Sequence, residues 1–289
     1  MLFLTHKPAP ALARFVDHLW CLHDAPVHAR EHVLPAGTLE LVINLAEDEF
    51  RIYDRDNPER CQRFAGAMVS GAYSRYFVID TREHASIMGV HFRPGGALPF
   101  LGLPAGVLAD THVELSQLWG ARAAELREQL CGACSSERRF ELLEQALLER
   151  MADTSLRPAS RAGIALLGMG RKVGEVAKEL SLSRRRFISV FSADVGTTPK
   201  LFARIQRFQR ALVCSHARDQ LDWSQLALDT GYFDQSHMIR DFVDFAGVAP
   251  AALRCRGQQD VKVDHVAVPP SSHLSNTPGQ RSPRIPEPH

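Results

Sequence analysis

Two short runs of side chains carry the chemistry that stands out in this chain of 289 residues. One is Ser183-Arg184-Arg185-Arg186, followed a turn later by Ile188 and Ser189. The other is Gln235-Ser236-His237, followed by Arg240. Arginine offers paired donors to guanine, glutamine pairs with adenine, and serine, histidine and arginine all bond phosphate oxygens. An idle solvated helix would show a mixture of glutamate and lysine instead. These runs point to side chains that read a DNA groove and grip its backbone.

The elements that must position them repeat. Val173-x-x-Val176-Ala177 recurs fifty positions on as Trp223-x-x-Leu226-Ala227. After one inserted residue, Phe187, Phe191, Gly196 and Pro199 recur at a spacing of fifty-one as Met238, Phe242, Gly247 and Pro250. A fixed period of this size marks a duplicated supersecondary unit. Each copy reads as a short apolar helix, a tight turn (Ser181-Leu182-Ser183; Thr230-Gly231-Tyr232) and a second amphipathic helix, which is a helix-turn-helix pattern. Val173, Val176, Ala177 and Leu180 share one face, and Leu182, Phe187 and Phe191 close a small core. A helix from Pro158 to Gly168 precedes the first copy. Pro199 to about Val213 predicts the joining helix, with Arg204, Arg207 and Arg210 available for backbone contacts or acidic partners. Asp222-Trp-Ser-Gln225 has the spacing of a capping box, and the last helix begins near Asp234.

Charge is segregated in the same way. Residues 161–256 hold 15 Lys+Arg against 9 Asp+Glu, a balance of +6, while the rest of the chain holds 19 against 24, a balance of −5. A basic module therefore sits behind an acidic remainder in a chain of net charge +1. Asp241 and Asp244 dilute the positive field of the second copy, which is expected to bind more weakly.

Ser183-x-x-x-Phe187-x-x-x-Phe191-x4-Gly196-x-x-Pro199, Arg207-x-x-x-Ala211, Leu226-Ala227-x-x-x-Gly231-Tyr232 and Phe242-x4-Gly247-x-x-Pro250 together resemble the tandem DNA-binding domain of AraC/XylS-type transcriptional regulators. The resemblance covers about a third of the chain. It implies two units on one long helix, each presenting its second helix to successive turns of major groove in double-stranded DNA. Carried over by position, Arg185, Ile188 and Ser189 of the first unit face base edges, Ile188 meeting a thymine methyl. Ser183 caps that helix, and Arg184 and Arg186 grip phosphates. In the second unit Gln235, Ser236, His237 and Arg240 face DNA. Further partners implied are a small-molecule effector, RNA polymerase and a second copy in a homodimer.

Composition fits that outline. The chain is 45% hydrophobic and 23% charged, ordinary for a globular protein with room for two cores. Met1 to Ala11 is interrupted by Pro8 and Pro10 and predicts no signal peptide. No apolar run approaches the ~18 residues a membrane span needs. Six scattered cysteines fit reduced thiols, so a cytoplasmic, nucleoid-associated protein is expected. Cys131-Gly-Ala-Cys134 reads as a turn between helices.

The N-terminal half reads as β-rich. Leu39, Leu41, Ile43 and Leu45 alternate with Glu40, Val42, Asn44 and Ala46, predicting a half-buried strand. Short strands also fall at 50–53, 68–71, 76–79 and 86–92, bounded by turn residues, which suggests a small sandwich or barrel. The half resembles the cupin-like sensor domains of AraC-type regulators. For an effector pocket the candidates are Glu40, Asn44, Tyr76, His91 and Arg93, with Tyr73 beside them. His32, Glu40, His84 and His91 are candidate metal ligands, but the two-histidine spacing of a metal cupin is missing. No nucleophile elbow, GxGxxG or P-loop is present. No enzyme activity, metal or cofactor is expected.

Helices with apolar stripes at Val113–Leu130 and at Phe140, Leu143, Leu147 and Met151 follow; either a dimer contact or packing on the sheet fits them. The expected organisation is α+β: a β-rich domain at 1–109, a helical connector at 110–157, the paired helix-turn-helix domain at 158–256, and a tail at 257–289 lacking order. The alternatives are a cupin-like metal enzyme with a helical appendage, and an architectural or interaction protein that binds DNA without sequence preference.

Overall fold

The computed structural model describes residues 2–23, 30–57, 59–81, 85–217, 221–257 and 265–268, with the backbone alone for 255–257 and 265–268. The N-terminal strands are β1 (Leu2–His6), β2 (Val16–His23), β3 (Arg30–Val33), β4 (Glu40–Asn44), β5 (Glu49–Tyr53), β6 (Cys61–Ala65), β7 (Ala67–Ser70), β8 (Phe77–Ile79) and β9 (Ser86–Phe92). Helix α1 (Leu98–Leu101), a 3-10 turn (Ala105–Leu108), β10 (His112–Glu114), α2 (Leu115–Trp119), α3 (Ala121–Gly132) and α4 (Ser136–Arg150) follow. Two antiparallel sheets result, in the orders β1-β2-β9-β4-β7-β10 and β11-β3-β8-β5-β6, where β11 is His265–Val268.

Three layers explain a departure from the expected alternation. Val42, Trp20, Met68 and Ile87 of the first sheet meet Val33, Phe50, Ile52 and Ile79 of the second. The opposite face of the first sheet, with Leu41, Ile43, Val69 and Val90, is covered by Phe100, Trp119, Leu126, Phe140 and Leu143. Strand β4 lies in the middle of its sheet, so Leu41, Val42, Ile43 and Asn44 are all buried. It is a fully buried strand rather than a half-buried one, as happens when both faces of a sheet are covered. Strands β1 and β2 lie within the expected β-rich domain but ahead of the individual strands read from the pattern, because Val16-Asp-His-Leu-Trp-Cys-Leu-His shows no clean period of two.

The connector helices belong to this core. Strand β10 pairs with β7 through His112↔Ser70, and Leu115, Trp119, Leu126, Leu130, Phe140, Leu143 and Leu147 are all buried. Of the two roles open to that stripe, the structure uses it for packing on the sheet. Cys131 and Cys134 are free and exposed at the α3–α4 junction. Of the tail expected to lack order at 257–289, Gly257 ends α11 and 265–268 pair with β3.

The C-terminal half holds seven helices among the described residues: α5 (Pro158–Gly168), α6 (Val173–Glu179), α7 (Arg184–Val195), α8 (Pro199–His216), α9 (Trp223–Asp229), α10 (Gln235–Ala246) and α11 (Pro250–Gly257). Leu167, Val176, Ala177, Phe187, Phe191 and Val195 form one small core with Phe202 of α8. Leu226, Ala227, Tyr232, Met238, Phe242 and Phe245 form a second around Ile205, Phe208, Ala211 and Leu212 of the same helix. One rod thus supplies both cores. The β-domain reaches into the second: Leu34 is buried there, and Gln206 and Gln209 donate to the carbonyls of Ala36 and Pro35 at 3.3 and 2.8 Å.

Candidate nucleic-acid interface

Local chemistry starts α7 and α10 where the sequence places them. The Ser183 hydroxyl accepts from the Arg186 N–H at 3.1 Å, and the Asp234 carboxylate accepts from the His237 N–H at 2.7 Å. Each satisfies an N–H that the first helical turn would leave unpaired. Asp222 caps α9 by accepting from Ser224 and Gln225, but Gln225 turns to Asp229 at 2.8 Å, so the reciprocal half of the expected capping box is not made.

On α7 the apolar stripe Phe187, Val190, Phe191 faces inward, which leaves Arg184, Arg185, Arg186 and Ser189 exposed and Ile188 half-buried. On α10 Met238, Phe242 and Phe245 face inward, leaving Ser236 and Arg240 exposed and Gln235 and His237 half-buried. Gln235 accepts from the Ser224 hydroxyl at 3.1 Å. The His237 ring packs edge-on against Tyr232, with Arg207 Nη2 3.4 Å from its Nε2. Arg240 returns a donor to the Ser236 carbonyl at 3.2 Å. His237 is therefore partly committed to its own unit, a tie the sequence does not show.

An open groove of about 1020 Å³ runs between the units. Arg171, Lys172 and Arg184 of the first unit, Lys200 of α8, and Phe233, His237 and Arg240 of the second line it. Glu175, Asp234, Asp241 and Asp244 line it too, but seven Lys and Arg outnumber these four acids, so both units share one concavity of net positive charge, which suits a polyanion.

The arginines of the joining helix have acidic partners. Arg204 donates to Asp241 at 2.7 and 3.0 Å and to Asp244 at 2.8 Å, and Arg207 reaches Asp241 at 3.2 Å. Asp241 is 1% exposed, so it ties α10 to the rod instead of diluting the surface field. Arg210 donates to the Gly168 carbonyl at 2.8 Å. Burial, with Asp241 close by, raises the Tyr232 hydroxyl's pKa and keeps it neutral. In the first unit the buried acid is Asp194, held by Arg157 at 2.5–3.0 Å and by the Ser160 hydroxyl at 2.5 Å.

The C-terminal ends of α7 and α10 abut the β-domain. Helix α7 ends at Gly196 (φ 87°) and α10 at Gly247 (φ 74°), left-handed positions that glycine adopts without strain. A Cβ on Gly196 would lie 3.1 Å from the Ala72 methyl, and one on Gly247 would lie 2.7 Å from the Tyr76 ring. Tyr76 stacks on His32 with centroids 3.9 Å apart, and His32 Nδ1 lies 2.9 Å from the Ala246 carbonyl. One loop, Gly71–Tyr76, therefore touches the ends of both helices. It is anchored by Tyr73, whose hydroxyl hydrogen-bonds to the buried His112. Burial pulls the His112 pKa down to about 3, so the ring is neutral.

The expected effector residues do not form one pocket, although Glu40 and His91 are cross-strand partners with 3.9 Å between Glu40 Oε1 and His91 Nδ1. Glu40 accepts from the Trp20 indole at 2.7 Å. Asn44 is fully buried and caps the Ala46–Glu47 turn. His91 stacks on His18. Arg93 pairs with Asp17 at 3.1 Å and lines a hollow of about 520 Å³ with Arg14 and Arg161. Tyr76 instead lines a separate, polar hollow of about 1030 Å³ with Tyr53, Arg55 and Tyr73. Glu40, Asn44 and His91 fit structural roles in the sheet better than a common pocket. Among the described residues no group of three or more His, Cys, Asp or Glu could hold a metal ion; His84 lies outside them. No helix among them is long and apolar enough to cross a membrane.

Two helix-turn-helix units on a shared rod, with a cationic groove between them, define a DNA-binding domain. Comparison with known families agrees: residues 176–256 match a helix-turn-helix domain family and residues 4–114 match a domain family of unknown function (DUF6597). Residues 176–256 are a helix-turn-helix domain of the AraC type, which supports a DNA-binding transcription regulator. No curated protein matches the chain. Solved structures of ToxT from Vibrio cholerae are similar to it: an apo variant of strain SCE256 at 10% identity, covering 81% of this chain and 96% of that one with a TM-score of 0.48, and an unsaturated-fatty-acid-bound wild type of the same strain at 8%, 86%, 94% and 0.45.

Proposed function

We propose that this regulator is sequence-specific and reads two successive major-groove segments on one face of duplex DNA, with α7 and α10 as the reading helices. The observation that carries the reading is that their capped, exposed N-terminal turns border one groove while their glycine ends are both held from behind. Arg185, Ile188 and Ser189 read bases in the first segment, and Gln235, Ser236, His237 and Arg240 in the second. Ser183, Arg184 and Arg186 hold phosphates. The test is selection from random duplexes at fixed salt, followed by Arg185→Ala and Gln235→Ala. Each should lower affinity for the selected site by roughly 5- to 100-fold and relax preference at one position. Unchanged affinity and preference in both variants would defeat the assignment.

We infer further that the N-terminal domain controls DNA reading, through a small-molecule effector or a second copy of the chain in a homodimer, with RNA polymerase as a later partner. The contact of one loop with both reading helices supports this, because a shift at Ala72 or Tyr76 would re-aim α7 or α10. Repeating the duplex selection with candidate metabolites present tests it: an unaltered motif and affinity across the set would count against effector control.

A further inference from the structure

The residue inserted between the two copies is Phe233. In the first unit the Leu182 N–H bonds to the Ala177 carbonyl, and in the second the Tyr232 N–H bonds to the Ala227 carbonyl, so Leu182 and Tyr232 are equivalent. Both pack into their own unit's core. The next residue in the first unit is the cap Ser183. In the second unit Phe233 comes between Tyr232 and the cap Asp234.

Phe233 is not there to close the turn or fill the core. Its side chain is 85% exposed, ahead of Met169 at 78% and every other large apolar side chain among the described residues. An apolar residue just before a helix cap commonly packs on the fourth helical residue, here Met238, but Met238 is fully buried beneath Tyr232's cluster and Phe233 stands outside it. It stands instead on the wall of the groove between the units, with Arg184, Lys200 and Arg240, next to the base-facing turn of α10.

We propose that Phe233 reads a thymine by apolar contact of its ring with the C5-methyl group, at the base pair beside the one that Gln235 addresses. Phenylalanine against a thymine methyl is a chemically sound major-groove contact, and it suits a helix start whose exposed cations are fewer than those of α7. The inference rests on the DNA-reading role assigned above and adds a base-specifying residue to it.

The experiment uses the full chain and the duplex recovered by selection. Each thymine in the second half of that duplex is replaced in turn by uracil, which removes only the methyl. Wild-type protein should lose about three- to tenfold in affinity at one position, as expected for one buried methyl. Phe233→Ala should bind the thymine duplex roughly 5- to 30-fold more weakly, show no thymine–uracil difference at that position, and keep the salt dependence of wild type, since no phosphate contact is removed. Phe233→Leu should keep part of the discrimination. Thermal unfolding of Phe233→Ala should match wild type, which separates a lost contact from a damaged fold. A wild-type motif that Phe233→Ala binds with equal affinity and equal thymine–uracil discrimination overturns the inference alone. A wild-type selection that yields no motif defeats the DNA-reading assignment and this inference with it.

Discussion

The two helix-turn-helix units share a plan and differ in how they use charge. In the first, α7 leaves three consecutive arginines exposed, and its buried acid, Asp194, is answered from outside the unit's reading face by Arg157 and Ser160. In the second, the buried acid Asp241 lies in the middle of α10 and draws in Arg204 and Arg207 from the rod. Those two cations are thereby matched, and Arg240 is the exposed arginine of α10. The turn before α10 is a residue longer and carries an exposed ring. In the proposed reading the first unit adds more charge to its base contacts and the second more polar and apolar contact, on a scaffold that the two copies share.

The largest effect expected is on the cores. Phe191→Ala and Phe242→Ala each empty a fully buried site, at a cost of about 3–5 kcal/mol. Denaturant unfolding should show each loss, and the comparison sharpens if Phe242→Ala keeps weak DNA binding through the first unit while Phe191→Ala loses it. Equal binding by both variants would erase the proposed asymmetry.

Next comes the buried acid of the second unit. Asp241→Asn leaves two arginines facing a neutral amide; because both are partly exposed, about 2 kcal/mol is expected rather than the full value for a buried pair. Asp194→Asn provides the matched measurement in the first unit. If neither variant shifts thermal unfolding, the buried acids do not organise the units.

The loop behind both units has a pH signature. His112 titrates near 3 in the folded chain against 6.5 unfolded. Its neutral form is therefore favoured by folding: the contribution is complete above pH 6.5 and is lost as pH falls from 6.5 toward 3, at about 1.4 kcal/mol per pH unit. Replacing His112 with glutamine should flatten that part of the stability profile. An identical profile would show that the ring does not titrate in this way.

The smallest effect is the most diagnostic. Arg184→Ala or Arg186→Ala should each lower the slope of log affinity against log salt by about 1, and Gln235→Ala should leave it unchanged. Equal slopes in all three would mean that the units do not divide the work of gripping and reading.

Much of this was legible before the fold. The fifty-residue repeat, the cap Ser183, the helix start near Asp234 and the inward phenylalanines are local or periodic properties, and each lies where the pattern places it. The partners of Arg204 and Arg207 were left open between phosphate and acid, because an arginine on a helix surface looks the same with either. Strand β4 read as half-buried because alternation registers one covered face, whereas Val42 and Asn44 are covered by the second sheet. Glu40, Asn44 and His91 looked like ligand groups because polar residues on strands do; the indole and ring partners of Glu40 and His91 come from distant segments, while Asn44 caps the turn that follows it.

Composition, period and capping chemistry by themselves determined that the chain ends in two related helical units with basic or polar leading turns, since helix formation and core patterning are written in neighbours three to five residues apart. Only the tertiary structure decided which charges stay free, that Phe233 is the extra residue and stands in the groove, and that one loop of the β-domain meets both reading helices. Those outcomes depend on contacts between segments far apart in sequence, and burial removes a charge or a ring from use only when the partner that covers it is in place.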